Sequence, residues 1–228
     1  MKNSGITTVL RTTPDINRII RILQRTGRQW NPTALAAVAR DSLDPFQVLI
    51  SCLISLRTKD EVTAEASARL FRLAKTPRAM LTLSAARISR AIYPAGFYRT
   101  KARTIKRICR TLLEKHGGKV PDDLETLLSL KGVGRKTANL VITVGFGKPG
   151  ICVDTHVHRI SNRLGIVSTP TPEKTEFALR RLLPRRHWIL YNDLLVTFGQ
   201  NVCKPISPLC SACPIDPLCP RIGVGKHR

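Results

Sequence analysis

Leu130-Lys131-Gly132-Val133-Gly134-Arg135-Lys136-Thr137-Ala138-Asn139-Leu140 packs a turn signal and a reactive amine into one short stretch. Pro121-Asp122-Asp123 opens a predicted helix over Leu124–Leu130, and a second helix follows from about Arg135 to Val144. Between them, Gly132 and Gly134 permit positive φ and close approach of a ligand to the backbone. Free N–H groups and the dipole at the start of the second helix would hold a phosphate oxygen without reading a base. Gly132, Gly134 and Arg135, flanked by Lys131 and Lys136, are therefore candidate backbone contacts to a nucleic acid. A plain tight turn between two core helices is the better explanation of Gly-x-Gly alone; the surrounding positive charge favours the phosphate.

Lys136 stands in the first turn of the second helix. A lysine is nucleophilic only when neutral, below its free pKa of about 10.4. The positive end of a helix and partial burial both push in that direction. A neutral amine can attack a sugar C1′ and form a Schiff base; the plainer alternative is one more phosphate-binding lysine. Asp154 follows in Val153-Asp154-Thr155-His156, where an N-cap belongs for a helix over Thr155–Leu164. A capping carboxylate is rigidly held and can still face a cleft, so the capping and chemical roles are compatible. His156 and His158, two positions apart on a helix, point in different directions and do not form a shared metal site with Asp154.

The whole chain supports a polyanionic partner. Its 228 residues carry 38 Lys+Arg against 15 Asp+Glu, a formal charge of +23. Those charges are scattered over helical segments (Arg99, Lys101, Arg103, Lys106, Arg107, Arg110) rather than gathered in a tail, as expected for a folded surface tracking phosphates. Apolar residues at 43% can form a substantial core, and no apolar run reaches membrane-spanning length. Met1–Thr13 is polar, without the apolar centre of a signal peptide, so a cytoplasmic (or nuclear) location is expected.

Helical periodicity recurs along the chain and strand alternation does not. Pro14–Gln24 places Ile16, Ile19, Ile20 and Leu23 on one face; Phe46–Leu56 reads as a buried helix; Glu61–Ala74 turns Val62, Ala66, Leu70 and Leu73 inward. Lys101–His116 stops at Gly117-Gly118, and further helices are expected at Glu173–Leu182 and Trp188–Gln200. The fold class is all-α.

Seven cysteines divide into two groups. Cys52, Cys109 and Cys152 stand alone in apolar surroundings and read as small buried hydrophobes. Cys203, Cys210, Cys213 and Cys219 follow the spacing C-x6-C-x2-C-x5-C in a proline-rich loop, a strong metal signal. The choice lies between structural zinc and a [4Fe–4S] cluster; a single C-x2-C knuckle leans toward iron–sulfur without settling it. Lys204, with Arg221 nearby, is a candidate for a second stretch of DNA backbone.

In order, the Leu130–Leu140 segment, Val153-Asp154-Thr155-His156 and the cysteine spacing resemble the endonuclease III family of the helix-hairpin-helix DNA glycosylase superfamily. The resemblance runs from about Pro45 to Cys219. It implies a six-helix barrel domain over 38–148 that includes the hairpin. A discontinuous domain of 14–37 and 149–228 would hold a [4Fe–4S] cluster, with 1–13 flexible. It implies a monomeric, nucleoid-associated prokaryotic enzyme acting on double-stranded DNA that contains a damaged base or an abasic site. Lys136 would be the nucleophile and Asp154 the assisting carboxylate. The reaction would remove an oxidised pyrimidine, flipped out of the duplex, then cleave the strand by β-elimination. Two loops of the family fill the resulting gap, and their positions match Arg57 and Phe97. Arg57 departs from the family's usual glutamine and bears on opposite-base preference; Phe97 is an apolar wedge, with core packing as its plain alternative. Two other readings compete. A mismatch-directed glycosylase of the same superfamily typically lacks a lysine at the Lys136 position. A non-catalytic DNA-binding protein would use the cluster as a redox sensor.

Overall fold

The computed structural model describes residues 14–30 and 44–228. Expectations for 1–13, for 31–37 and for a domain boundary at 38 fall outside the described residues. Among these, every regular element is helical and no strand occurs, in agreement with the all-α reading. None of the helices is long and apolar enough to cross a membrane.

Two buried clusters organise the chain. The first gathers helices α2 (Pro45–Ser55), α3 (Asp60–Leu73), α4 (Pro77–Thr82), α5 (Ala85–Ile92), α6 (Tyr98–His116), α7 (Leu124–Ser129) and α8 (Arg135–Leu140). α2 lies at its centre: every residue from Val48 to Ile54 is buried, the pattern of a helix enclosed on all sides. The second cluster joins α1 (Ile16–Thr26) to α9 (Thr155–Arg163), α10 (Pro172–Leu182) and α11 (Trp188–Asn201). Ile19, Ile20 and Leu23 of α1 meet Val157, Ile160, Tyr191 and Phe198 there, so a helix from the start of the described chain completes a core built by its end.

Local signals set the helix starts. Side chains of Asp15, Thr76, Ser84, Asp123 and Thr171 each accept an N–H in the first turn of their helices. Proline occupies the first position of α2, α4 and α10, where its missing N–H costs nothing. Gly117, left-handed at φ 58°, stops α6, and Gly118 N–H returns to Leu112 O at 2.8 Å.

Three expectations need correction. Leu73 is exposed, and α3 instead buries Thr63, Ser67 and Phe71 beside Ala66 and Leu70. The helix from Arg135 is α-helical only to Leu140 and widens into a π turn over Val141–Gly145; a Cβ at Gly145 would lie 3.1 Å from Pro45 Cα, so the turn abuts the start of α2. Finally, part of the basic face of α6 is not a phosphate surface. Lys106 Nζ donates to Leu81 O (3.0 Å) and Leu83 O (2.6 Å), and Arg107 Nη2 to Lys131 O (3.0 Å). These cations cap carbonyls at and just beyond the ends of α4 and α7.

Candidate active site

Gly132 holds φ at +105°, and a Cβ there would come within 2.7 Å of Thr104 Cγ2 on α6, so both backbone and space require glycine. Gly134 differs. Its φ is −95° and a Cβ would meet nothing within 4 Å, which leaves open space above the start of α8. Val133 between them is buried and anchors the turn.

Arg135 turns away from that open space. Its Nε and Nη2 donate to Glu176 Oε2 (3.0 Å) and Oε1 (2.9 Å), and its guanidinium lies 4.8 Å from the Phe177 ring centre. Arg180 donates to the same carboxylate at 3.0 Å and to Asn139 Oδ1 at 3.0 Å. Burial alone would raise the Glu176 carboxyl, but the Arg135 and Arg180 guanidiniums outweigh it and hold the pKa below the usual value. Arg135 thus ties the hairpin to α10 through its Nε and Nη2 groups.

Lys136, the next residue, remains 45% exposed at its side chain. Its Nζ is 3.8 Å from Asp154 Oδ2, whose side chain is only 9% exposed. Asp154 Oδ1 accepts N–H groups from His156 and Val157, each at 2.9 Å. One oxygen therefore caps α9 while the other faces the amine, so the cap holds the carboxylate rigid against its partner. Both line a cleft with about 220 Å³ of space, far beyond the roughly 10–15 Å³ that admits one water. Ser51, Asp60 and Lys136 line it from the first core's helices; Asp154, His156, Asn192 and Gln200 line it from the second's.

Most of the residues that line it carry a polar or charged group. Gln200 Nε2 donates to Asp60 Oδ2 at 3.2 Å, and Asn192 Nδ2 to Cys152 O at 3.1 Å. The buried Ser51 hydroxyl has no hydrogen-bond partner among the described residues. Burial, reinforced by Arg159 and Lys136, lowers the His156 pKa. Arg159 Nη2 lies 3.1 Å from His156 Nδ1; a guanidinium only donates, so Nδ1 accepts and the ring's proton sits on Nε2.

The four clustered cysteines line one cavity, walled by apolar side chains including Leu164, Phe198 and Ile215. Two N–H groups point at their sulfurs: Arg163 Nη1 to Cys203 Sγ at 3.3 Å and Arg221 N to Cys219 Sγ at 3.4 Å. Arg163 also grips the loop through Lys204 O (2.7 Å) and Pro205 O (2.8 Å). Such donors suit thiolate ligands. Among the described residues no three His, Cys, Asp or Glu side chains converge tightly on a single ion's position; the thiols surround a cavity instead. The Arg221 guanidinium is engaged by Asp216 in a bidentate pair, so the expectation that it serves DNA is not supported.

Arg57 and Phe97 lie outside the cleft but beside each other. Both are left-handed, at φ 52° and 57°, and the Arg57 guanidinium lies 5.4 Å from the Phe97 ring centre. Phe97 is 62% exposed, which removes core packing as its explanation. The pair borders a cavity that Gly132 also lines.

Residues 50–185 match the family described as HhH-GPD superfamily base excision DNA repair protein. Endonuclease III of Thermotoga maritima is 53% identical over 188 residues, covering 81% of this chain and 88% of that one. The chain belongs to the endonuclease III family of this superfamily. A solved non-covalent endonuclease III–DNA complex aligns with a TM-score of 0.81 at 33% identity, covering 90% of this chain and 94% of that one. A trapped endonuclease III–DNA covalent intermediate aligns at 0.76 with 33% identity, covering 90% and 95%. As a member of the endonuclease III family, the chain is a base excision repair enzyme, a DNA glycosylase with AP lyase activity.

Several site residues were not visible in the sequence. Glu176 sits mid-helix and looks like a solvated charge. Asp60 and Gln200 are 140 positions apart. Arg163 resembles any basic residue near a helix end. Only the fold brings Glu176 to the hairpin, Asp60 and Gln200 to the cleft, and Arg163 to the cysteine loop.

Proposed function

We propose that Lys136 is the nucleophile and Asp154 the carboxylate that assists it, in an enzyme that removes an oxidised pyrimidine from duplex DNA. The 3.8 Å approach of Lys136 Nζ to Asp154 Oδ2 at a cleft between two cores carries this reading. A base extruded from the stack would enter the cleft, where Ser51, Asp60, Asn192 and Gln200 offer hydrogen bonds. The neutral amine attacks C1′ as the base departs with its bonding pair and takes up a proton. The bound amine then gives one proton to Asp154, and the C1′–O4′ bond opens with a proton delivered to O4′, leaving a C1′=N Schiff base protonated at nitrogen. The resulting iminium acidifies the C2′ proton; its loss expels the 3′ phosphate, and water then releases the enzyme. Asp154 stabilises the cationic intermediates and accepts protons from the amine.

The open space above Gly134 supports a phosphate contact by the hairpin backbone. Arg57 and Phe97 are read as the pair that fills the gap left by the extruded nucleotide, and Lys204 as a contact from the cysteine loop. The covalent DNA intermediate of the related structure supports the same chemistry. The two buried cores are read as the barrel domain and the cluster domain, with the cleft between them. Cys203, Cys210, Cys213 and Cys219 would hold a [4Fe–4S] cluster, whose four protein ligands leave it a structural part. Visible absorption of purified protein separates this from colourless zinc.

Borohydride reduction on abasic duplex DNA tests the central assignment. Wild-type protein is expected to become covalently attached, and Lys136→Ala to lose attachment while still binding the duplex. If Lys136→Ala is still trapped, another amine is the nucleophile and this reading fails.

A further inference from the structure

Lys101, on α6, is a long basic side chain only 8% exposed. Its ammonium donates to three acceptors: Ile54 O (2.6 Å), Leu56 O (2.6 Å) and Thr58 Oγ1 (2.8 Å). The count is complete, because an ammonium has three N–H groups. Ile54 and Leu56 supply carbonyls at the C-terminal end of α2, the negative end of its dipole, where a helix of this kind more often closes with glycine. Here the cap comes from a residue 47 positions away from Ile54.

Thr58 extends the knot. Its Oγ1 accepts from Lys101 and from Gly96 N–H at 3.1 Å, and donates to Leu56 O at 3.3 Å. Gly96 admits no substitute, since a Cβ there would lie 2.3 Å from Arg57 O. The loop bearing Arg57 and the loop bearing Phe97 are thus in backbone contact, joined through one hydroxyl and one ammonium. Immediately above the knot, both residues adopt the left-handed region and stack against each other. A non-glycine residue there carries a conformational cost that surrounding structure must hold in place, and the knot supplies that hold at both loops.

We propose that Lys101 is a positioning residue. Together with Thr58, it locks the Arg57 and Phe97 loops into one preassembled wedge that enters the duplex as a unit. This rests on the reading of Arg57 and Phe97 as the gap-filling pair. Lys101 touches neither substrate nor the amine at Lys136; it acts through the loops.

Strand cleavage at one abasic site, measured in duplex and in single-stranded DNA, tests this with the full-length chain. Only the duplex leaves a gap to fill, so the duplex-to-single-strand rate ratio reports the wedge. The double variant Arg57→Ala/Phe97→Ala is expected to lower that ratio at least tenfold. Lys101→Met and Thr58→Val should each lower it at least threefold, and Lys101→Met should lower it less than twofold further when added to the double variant. If the double variant leaves the ratio unchanged, the gap-filling reading itself falls. If it lowers the ratio while Lys101→Met and Thr58→Val do not, the positioning role is overturned. Equal loss on both strand forms by Lys101→Met, or full additivity with the double variant, also overturns it. Should Lys101→Met fail to fold, Thr58→Val decides by the same ratio.

Discussion

Two lysines, Lys136 near the start of α8 and Lys101 near the start of α6, look alike in the sequence, and the fold uses them in opposite ways. Lys136 is half exposed and faces a single carboxylate across a cleft. Lys101 is enclosed and surrounded by two carbonyls and a hydroxyl. Burial pushes the Lys101 amine down to about 8, which still leaves it charged at neutral pH, with three protons for three acceptors. The exposed amine has room to approach a sugar; the enclosed one is fully occupied and has none. Chemistry is thus assigned to the lysine with a free approach, and loop geometry to the lysine without one.

That contrast can be broken most directly at Lys136. Lys136→Ala should lower strand cleavage by roughly three orders of magnitude or more, on the scale of losing a covalent nucleophile. Its unfolding midpoint should shift by no more than about 2 °C, as for other surface changes. Single-turnover cleavage and thermal unfolding of one preparation measure both. Lys101→Met should reverse the balance, losing about 1–3 kcal/mol of stability because buried carbonyls are left without donors; urea unfolding reads this out. A Lys136→Ala protein that unfolds early would erase the distinction between the two lysines.

Asp154 sharpens the comparison because its two oxygens serve both purposes. Asp154→Asn keeps a capping oxygen for His156 and Val157 but removes the charge beside Lys136. Cleavage should slow about 10- to 100-fold with at most about 0.5 kcal/mol of stability lost, whereas Asp154→Ala should cost about 1 kcal/mol more through the missing cap. Comparable loss of stability in both variants would show that charge, and not capping, holds the end of α9.

Glu176 provides the pH test. Its folded pKa lies below the ordinary value near 4.5, so the unfolded chain takes up a proton first as the solution is acidified. Its contribution is therefore complete above the ordinary carboxylate range and fades as pH falls through the depressed value. Glu176→Gln should cost about 2 kcal/mol at pH 7, discounted for the partly exposed guanidiniums, and should flatten the loss of stability on acidification. Urea midpoints from pH 3 to 7 for both proteins check the sign. The smallest effect concerns the buried thiols. Burial raises Cys52 and Cys109 to about 12, so both should resist iodoacetamide at pH 8 in the native protein and react after unfolding, as peptide mapping would reveal.

Much of the molecule was legible beforehand where the relevant forces are local. Helix starts followed from capping side chains and proline, and Asp154 was recognisable as a cap because its partners lie two and three residues on. The cysteine loop declared itself by spacing alone. Misreadings occurred where the surroundings decide: Leu73 has helical spacing yet stays exposed, and the π turn after Leu140 forms where Gly145 meets Pro45. The basic run on α6 suggested a phosphate surface, yet Lys106 and Arg107 cap carbonyls of other elements.

The chain's own order of residues settled the helical class, the hairpin turn, the positive charge and the four-thiol loop, because periodicity, backbone permission and ligand spacing act over a few residues. Tertiary structure alone decided which amine meets a carboxylate, which is sealed beneath two loops, and that Arg135 answers Glu176. Each of those outcomes depends on distance and burial between segments far apart in the chain, and a side chain's charge becomes attractive, costly or reactive only once its surroundings are known.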